Sequence, residues 1–118
     1  MSGARGEAIL SLPDGTEARI LFTNRAVAEA EAALGRSVIV LLEDFQEGRA
    51  GIIETATLLR VGMEAERRDS RSGGRVVSDN DAYNVLDQVG FGRALAAVME
   101  AVSAVLTFDA EEDADPNP

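Results

Sequence analysis

Two short segments near the start of the chain have the length and apolar composition of β-strands. They run from Glu7 to Leu12 and from Glu17 to Phe22. Between them lies Pro13-Asp14-Gly15-Thr16, in which Pro presets the first turn position and Gly supplies the positive φ of a tight reversal. The pattern predicts an amino-terminal β-hairpin, and helices are expected to cover one of its faces because an isolated two-stranded ribbon is only marginally stable. The side chains predicted to face inward are Ile9, Ile20 and Phe22.

After the hairpin, apolar residues recur every three or four positions, which is the period of an α-helix. The first helix is predicted over Arg25 to Leu34, with Thr23 or Asn24 as N-cap and Gly35 as the left-handed residue after its end. Its inward side chains are Val27, Ala30 and Leu34. The second helix is predicted to begin after Ser37, to run to Gln46 or Glu47 and to be closed by Gly48. Its inward side chains are Val38, Leu41, Leu42 and Phe45.

A third helix is predicted from about Ile52 to Met63 or Ala65. The residues of its apolar stripe are Ile52, Ala56, Leu59 and Met63. In the segment that follows, residues 66–77, four arginines stand among Ser and Gly, which predicts an exposed and mobile loop. Those arginines are Arg67, Arg68, Arg71 and Arg75.

The fourth helix is predicted to begin at a capping box in which Ser78 is the N-cap and Asp81 takes the usual place of Glu. Its inward side chains are Ala82, Val85, Leu86 and Val89, and Gly90 or Gly92 ends or bends it. The last helix is predicted over about Arg93 to Phe108. Its inward side chains are Leu95, Val98, Met99, Val102 and Leu106.

These elements predict a mostly α (α+β) protein, with an amino-terminal hairpin followed by about five short helices. One globular domain is expected over residues 1–108, with the hairpin at 6–22 and the helical part at 24–108. Residues 109–118 contain several acids and two Pro but no large apolar residue, so they are predicted to form a disordered acidic tail.

The composition narrows the classes of function. Of the 118 residues, 46% are apolar, which is enough for a core, and the net charge of −10 comes from 21 acids against 11 bases, all of them Arg. Such a charge disfavours nucleic acid and anionic membranes as partners. The chain has no apolar run of the ~20 residues that cross a bilayer and no signal peptide is apparent, so we expect it in a bacterial cytoplasm.

The residues that usually carry enzyme chemistry are scarce. The chain has neither Cys nor His, which removes thiolate catalysis and the commonest general base. The closest carboxylate pairs are Glu43 with Asp44 and Asp79 with Asp81; neighbours on a helix point about 100° apart, and acids near a helix start serve as caps. We therefore predict no catalytic, cofactor-binding or metal-binding residues, no small-molecule substrate and no enzyme activity.

The segment from Val38 to Leu42 is the strongest candidate for a functional surface. Five successive apolar residues on one helix place apolar side chains all around it. Either the helix is central and fully buried, or one side faces a partner. The candidate partner-binding residues are Val38, Ile39, Val40, Leu41, Leu42 and Phe45. The same run also predicts self-association into a homo-oligomer.

Several segments together resemble a known family. They are Gly6-Glu7, Thr23 to Leu34 with its Ala-Glu-Ala-Ala-Leu-Gly ending, Leu41 to Gly48, Leu58 to Met63, and the apolar last helix. In these segments, which extend from about Gly6 to Phe108, the chain resembles the short tail assembly chaperones of long-tailed phages (siphophages), in the branch that includes gene-transfer-agent proteins.

The resemblance implies a helper protein that acts in the bacterial host and is absent from the mature virion. Proteins of that family coat the long, helical, aggregation-prone tape measure protein and help to recruit tail tube subunits, and many have a longer product made by ribosomal frameshifting. The partners expected from the resemblance are thus the tape measure protein and the major tail tube protein. Two other functions remain open: a structural tail or head–tail joining protein of the virion, and a small acidic regulator that binds a basic protein.

Overall fold

The described chain begins with an antiparallel hairpin and continues with helices only. The computed structural model describes residues 4–108. Its elements are β1 (Gly6–Ser11), β2 (Glu17–Phe22), α1 (Asn24–Leu34), α2 (Val38–Gln46), α3 (Ile52–Ser70), α4 (Asp79–Val89) and α5 (Phe91–Leu106). The predicted fold class, a hairpin followed by five helices, is confirmed. The predicted acidic tail, 109–118, lies outside the described residues.

The hairpin turn is stabilised by hydrogen bonds within its own four residues and by a glycine. Asp14 accepts hydrogen bonds from the backbone N–H of Thr16 at 3.0 Å and from its hydroxyl at 2.6 Å. Gly15 has a φ of 91°, which side chains with a Cβ rarely adopt. The turn chemistry that the sequence predicts is therefore the one observed.

The strand register decides which hairpin residues face the helices. Gly6 pairs with Phe22, Ala8 with Ile20 and Leu10 with Ala18, and these pairs form the inner face. Ile20 and Phe22 are buried as predicted, but Ile9 pairs with Arg19 on the outer face and is 53% exposed. The prediction that Ile9 faces inward is wrong because alternate residues of a strand point to opposite faces, and Leu10 takes the inner position.

The inner face of the hairpin lies across α3 and α5, and the core is formed between these layers. The closest approach joins β1 to the last helix. A Cβ placed on Gly6 would stand 1.7 Å from the carbonyl oxygen of Ala101, so only glycine fits there. Ala94 and Ala101 are fully buried on α5, whereas Leu106, predicted to face inward, is exposed. Small residues take the core side of α5 because β1 comes so close to its backbone.

Helix α3 is longer than predicted and reaches Ser70. Residues 66–70, predicted to belong to a mobile loop, form its last turns. Ion pairs explain the difference: Glu64 pairs with Arg67 at 2.7 Å one turn along, and Arg68 reaches Glu29 of α1 at 3.0 Å. Asp69 likewise pairs with Arg5 at 3.0 Å. Charged residues therefore extend the helix where the apolar pattern stops.

Helix α4 begins as predicted. The hydroxyl of Ser78 accepts the backbone N–H of Asp81 at 3.1 Å, and the Asp81 carboxylate accepts the backbone N–H of Ser78 at 2.8 Å. This is a complete capping box. All four side chains predicted to face inward from α4 are buried: Ala82, Val85, Leu86 and Val89.

Candidate protein-binding surface

Helix α2, the predicted partner-binding segment, is buried on one side and exposed on the other. Of the six predicted binding residues, three lie in the core: Val38, Leu41 and Phe45. Their burial confirms the prediction that these side chains face inward and leaves them out of the exposed surface, since a partner could touch them only if α2 came away. Leu42 is half-buried. Ile39 and Val40 remain, with 57% and 42% of each residue exposed.

A second exposed apolar pair lies in the first turn of α3. Ile52 is 51% exposed and Ile53 is 68% exposed. Ile52 was predicted to face inward because it shares a helical face with Ala56 and Leu59, which are buried. The first turn extends past the elements that cover this face, and Ile53 was missed altogether. One sequence feature could have indicated their exposure. Both residues directly follow Gly51, the N-cap, and precede Thr55, the first buried residue of α3.

One arginine links the helix that carries the first pair to the turn that carries the second. Arg36 donates to Asp44 of α2 at 2.6 Å and to Glu54 of α3 at 2.5 Å. Val40 precedes Asp44 by one helical turn and therefore lies on the same side of α2. Glu54 directly follows Ile53 in the first turn of α3. We name the exposed side chains of this region the α2–α3 surface: Ile39, Val40, Ile52 and Ile53.

The orientation of α2 is held by polar contacts at both of its ends. At the start, the Glu31 carboxylate of α1 accepts the backbone N–H of Val38 at 2.8 Å. At the end, Asp44 accepts hydrogen bonds from Arg36 and from Arg49, the latter at 2.8 Å, and these bonds hold the pKa of the Asp44 carboxyl below its usual range. These contacts favour the orientation of α2 in which Ile39 and Val40 are exposed.

Carboxylates follow the apolar residues along the exposed side of α2. Glu43 lies one turn after Ile39 and is exposed, and Glu47 follows one turn later. Glu47 pairs with Arg49 at 2.6 Å. Within residues 4–108, Glu43 forms no ion pair. The surface therefore changes from aliphatic at the start of α2 to acidic at its end.

The arginines of residues 66–77 are mostly engaged in ion pairs within the protein. Arg67 pairs with Glu64 at 2.7 Å, and Arg75 pairs with Asp81 at 2.8 Å. Glu64 also accepts the backbone N–H of Val77 at 2.9 Å. The hydrogen bond from Arg67, together with that from Val77, lowers the pKa of the Glu64 carboxyl to about 2 even though partial burial opposes ionisation. These contacts tie the segment before α4 to α3.

The carboxylate pairs do not converge on a common point. Asp44 is engaged by Arg36 while its neighbour Glu43 faces solvent, and Asp79 pairs with Arg60 at 2.9 Å while Asp81 caps α4. Among residues 4–108 there is no group of three or more acidic side chains placed to hold a metal ion.

An open cleft of about 480 Å³ is lined by residues of both hairpin strands and of helices α3 and α5. The residues that line it include Ile9, Arg19, Glu66 and Glu100. In the part of the chain that the structure describes, no single helix is both long and apolar enough to cross a membrane. Helices α4 and α5 reach that length and apolar composition only when taken together, and the pair is bent by 116°.

In comparisons with known proteins, no family model, no curated protein and no solved structure matches the chain.

Proposed function

We propose that this protein is a tail assembly chaperone, which binds the tape measure protein of a phage tail in the host cytoplasm and keeps it soluble while tail tube subunits are recruited. The resemblance of the segments between Gly6 and Phe108 to that family supports the proposal. A protein in this role acts during assembly and is absent from the finished virion.

The α2–α3 surface is the observation that carries the proposal. Four large aliphatic side chains are each about half exposed there, in a protein whose other apolar side chains are mostly buried. Exposed apolar groups gathered in one region mark sites of protein contact. An aggregation-prone helical client needs such a surface to cover its own apolar residues, and the net charge of −10 favours solubility of the complex.

The size of the surface suggests how such a chaperone works. Full burial of a Val or Ile side chain contributes roughly 1.5–3 kcal/mol, so covering four half-exposed ones contributes on the order of 4 kcal/mol. The loss of freedom on association costs about that much or more. One copy would therefore hold a client weakly, and several copies along a long client would be needed for lasting protection. This comparison of free energies agrees with a chaperone that coats an extended client in several copies.

The test is co-expression with a candidate tape measure protein, followed by pull-down and a solubility assay. We expect the client to be soluble and to co-purify with the natural chain. Ile39→Asp should reduce the recovered client at least about tenfold, because it places a charge in the contact. Val76→Asp is the matched control, since Val76 is equally aliphatic and 64% exposed but lies in the loop between α3 and α4. An insoluble, unbound client beside a folded chain would refute the proposal.

The acidity of the chain favours one second candidate, a regulator that binds a basic protein. Its binding would be electrostatic and would weaken steeply as salt is raised, whereas apolar binding changes little. A salt titration of the pull-down separates the two. Mass spectrometry of purified particles tests the structural alternative, because a tail or joining protein remains in the virion.

A further inference from the structure

We infer that the α2–α3 surface recognises an amphipathic helix in which a Lys or Arg stands one turn away from an apolar contact residue on the same face. The inference deepens the proposed function by naming the chemistry of the client segment, and it rests on that function for the use of this surface. Three observations carry it: the backbone of α2 and α3, the order of side chains along α2, and the charges nearby.

The partner must satisfy its own backbone hydrogen bonds. Outside the helix ends, the N–H and C=O groups of α2 and α3 are bonded within the helices, so these elements offer no strand edge to an extended peptide. A helical partner pairs its own backbone groups internally and so needs no strand edge. Its side chains also recur one turn apart, at the same spacing as Ile39 and Glu43 on α2.

The spacing of side chains along α2 sets the spacing on the partner. Ile39 and Val40 offer the apolar contact, and Glu43 stands one turn further along the exposed side. When an apolar side chain of the partner helix packs on Ile39, the partner side chain one turn away therefore lies beside Glu43. A cation at that place gains a favourable contact, and a carboxylate is repelled.

Among the residues that the structure describes, Glu43 is the unpaired carboxylate of α2. The Asp44, Glu47 and Glu54 carboxylates are all held in ion pairs by Arg36 or Arg49, three acids against two guanidinium groups. Glu43 has no ion-pair partner within residues 4–108. A second copy of this chain fits poorly as occupant, because each copy carries a net charge of −10 and the nearby arginines are already paired.

Two synthetic helical peptides test the inference on the full chain. Both carry the same pair of Leu residues one turn apart; on the same face, one turn beyond the pair, one peptide has Lys and the other has Glu. At about 50 mM salt we expect the Lys peptide to bind about three- to tenfold more tightly, and the difference to shrink at about 500 mM salt. Glu43→Lys should remove or reverse this preference. Asp87→Lys, the same charge change on exposed α4, should preserve it.

Several results would overturn the inference. They are equal affinity for the two peptides, a preference that survives Glu43→Lys, binding of neither peptide, and a dimer that Ile39→Asp converts to monomer. The peptides contain no tape measure sequence, so the two proposals can fail separately. A clear Lys preference without capture of the tape measure protein would remove the proposed function and leave this chemistry standing.

Discussion

Gly62 of α3 lies directly against Ile20 of β2, so that a Cβ on Gly62 would stand 2.5 Å from Ile20 Cγ2. It would also stand 2.8 Å from a ring carbon of Phe22. Both neighbours are buried and cannot move away easily. The hairpin can rest on α3 only because that position has no side chain.

We therefore predict that Gly62→Ala destabilises the protein by about 1–3 kcal/mol, although Ala favours helix more than Gly does. Urea unfolding followed by circular dichroism measures the change in the free energy of unfolding. Gly92→Ala on α5 is the control, since a Cβ there meets nothing within 4 Å, and it should be neutral or slightly stabilising. Equal effects at the two glycines would contradict the close contact between β2 and α3.

The two sides of α2 should respond differently to truncation. Leu41→Ala removes a fully buried side chain and should cost about 2–5 kcal/mol of unfolding free energy. Ile39→Ala, on the exposed side, should change stability by no more than about 0.5 kcal/mol while weakening client binding. Denaturant unfolding and client pull-down, applied to both variants, check the contrast. A large loss of stability in Ile39→Ala would mean that this side of α2 belongs to the core.

Arg36→Gln should loosen α2 without unfolding the rest of the protein. The change removes both bonds that join Asp44 of α2 to Glu54 of α3 and leaves two neighbouring carboxylates without their shared cation. Hydrogen exchange should become faster for the amides of α2 and stay unchanged for those of α5. Arg19→Gln, which removes the exposed pair with Glu17 on the hairpin, should leave α2 protected. An unchanged rate of hydrogen exchange in α2 would show that the packing of its apolar side alone keeps the helix in place.

Acid should weaken the attachment of residues 73–77 to α3 through Glu64. The pKa of this carboxyl is lowered from 4.5 to about 2 in the folded protein, chiefly by the hydrogen bond from Arg67. Because the folded pKa is the lower one, the stabilisation is present above pH 4.5 and is lost as the pH falls towards 2. Allowing for solvent screening, we expect this loss to lower the free energy of unfolding by about 1–2 kcal/mol.

Glu64→Gln should remove that part of the acid dependence. Denaturant unfolding measured at a series of pH values is the appropriate assay, with Glu100→Gln on α5 as an exposed control. Identical pH profiles for the natural chain and Glu64→Gln would contradict the assignment of the lowered pKa to this carboxyl.

The helix boundaries set by local signals were predictable from sequence. Thr23, Ser37 and Ser78 each cap the helix that they precede, and the buried side of α4 follows from its spacing. These features depend on residues three or four positions apart, which sequence displays directly.

Contacts between distant residues account for the errors. Ile9 and Leu10 are both apolar, so alternation alone did not show which of them faces the core; the approach of β1 to α5 decides it. Two of the residues that hold the last turns of α3, Arg5 and Glu29, are far away in sequence, so the sequence pattern did not show these contacts. For the candidate surface, the run of apolar residues in α2 identified the helix, but its exposed side depends on what the rest of the fold covers.

The close approach of Gly6 to Ala101 also constrains the order of folding. The first strand and the last helix are nearly the full length of the domain apart in sequence, and each covers the other. During synthesis, β1 emerges early and must wait for α5 before its inner face is covered. A ribosome-bound chain that ends after α4 would therefore expose the inner face of β1, and the native domain would form late, when α5 has been made.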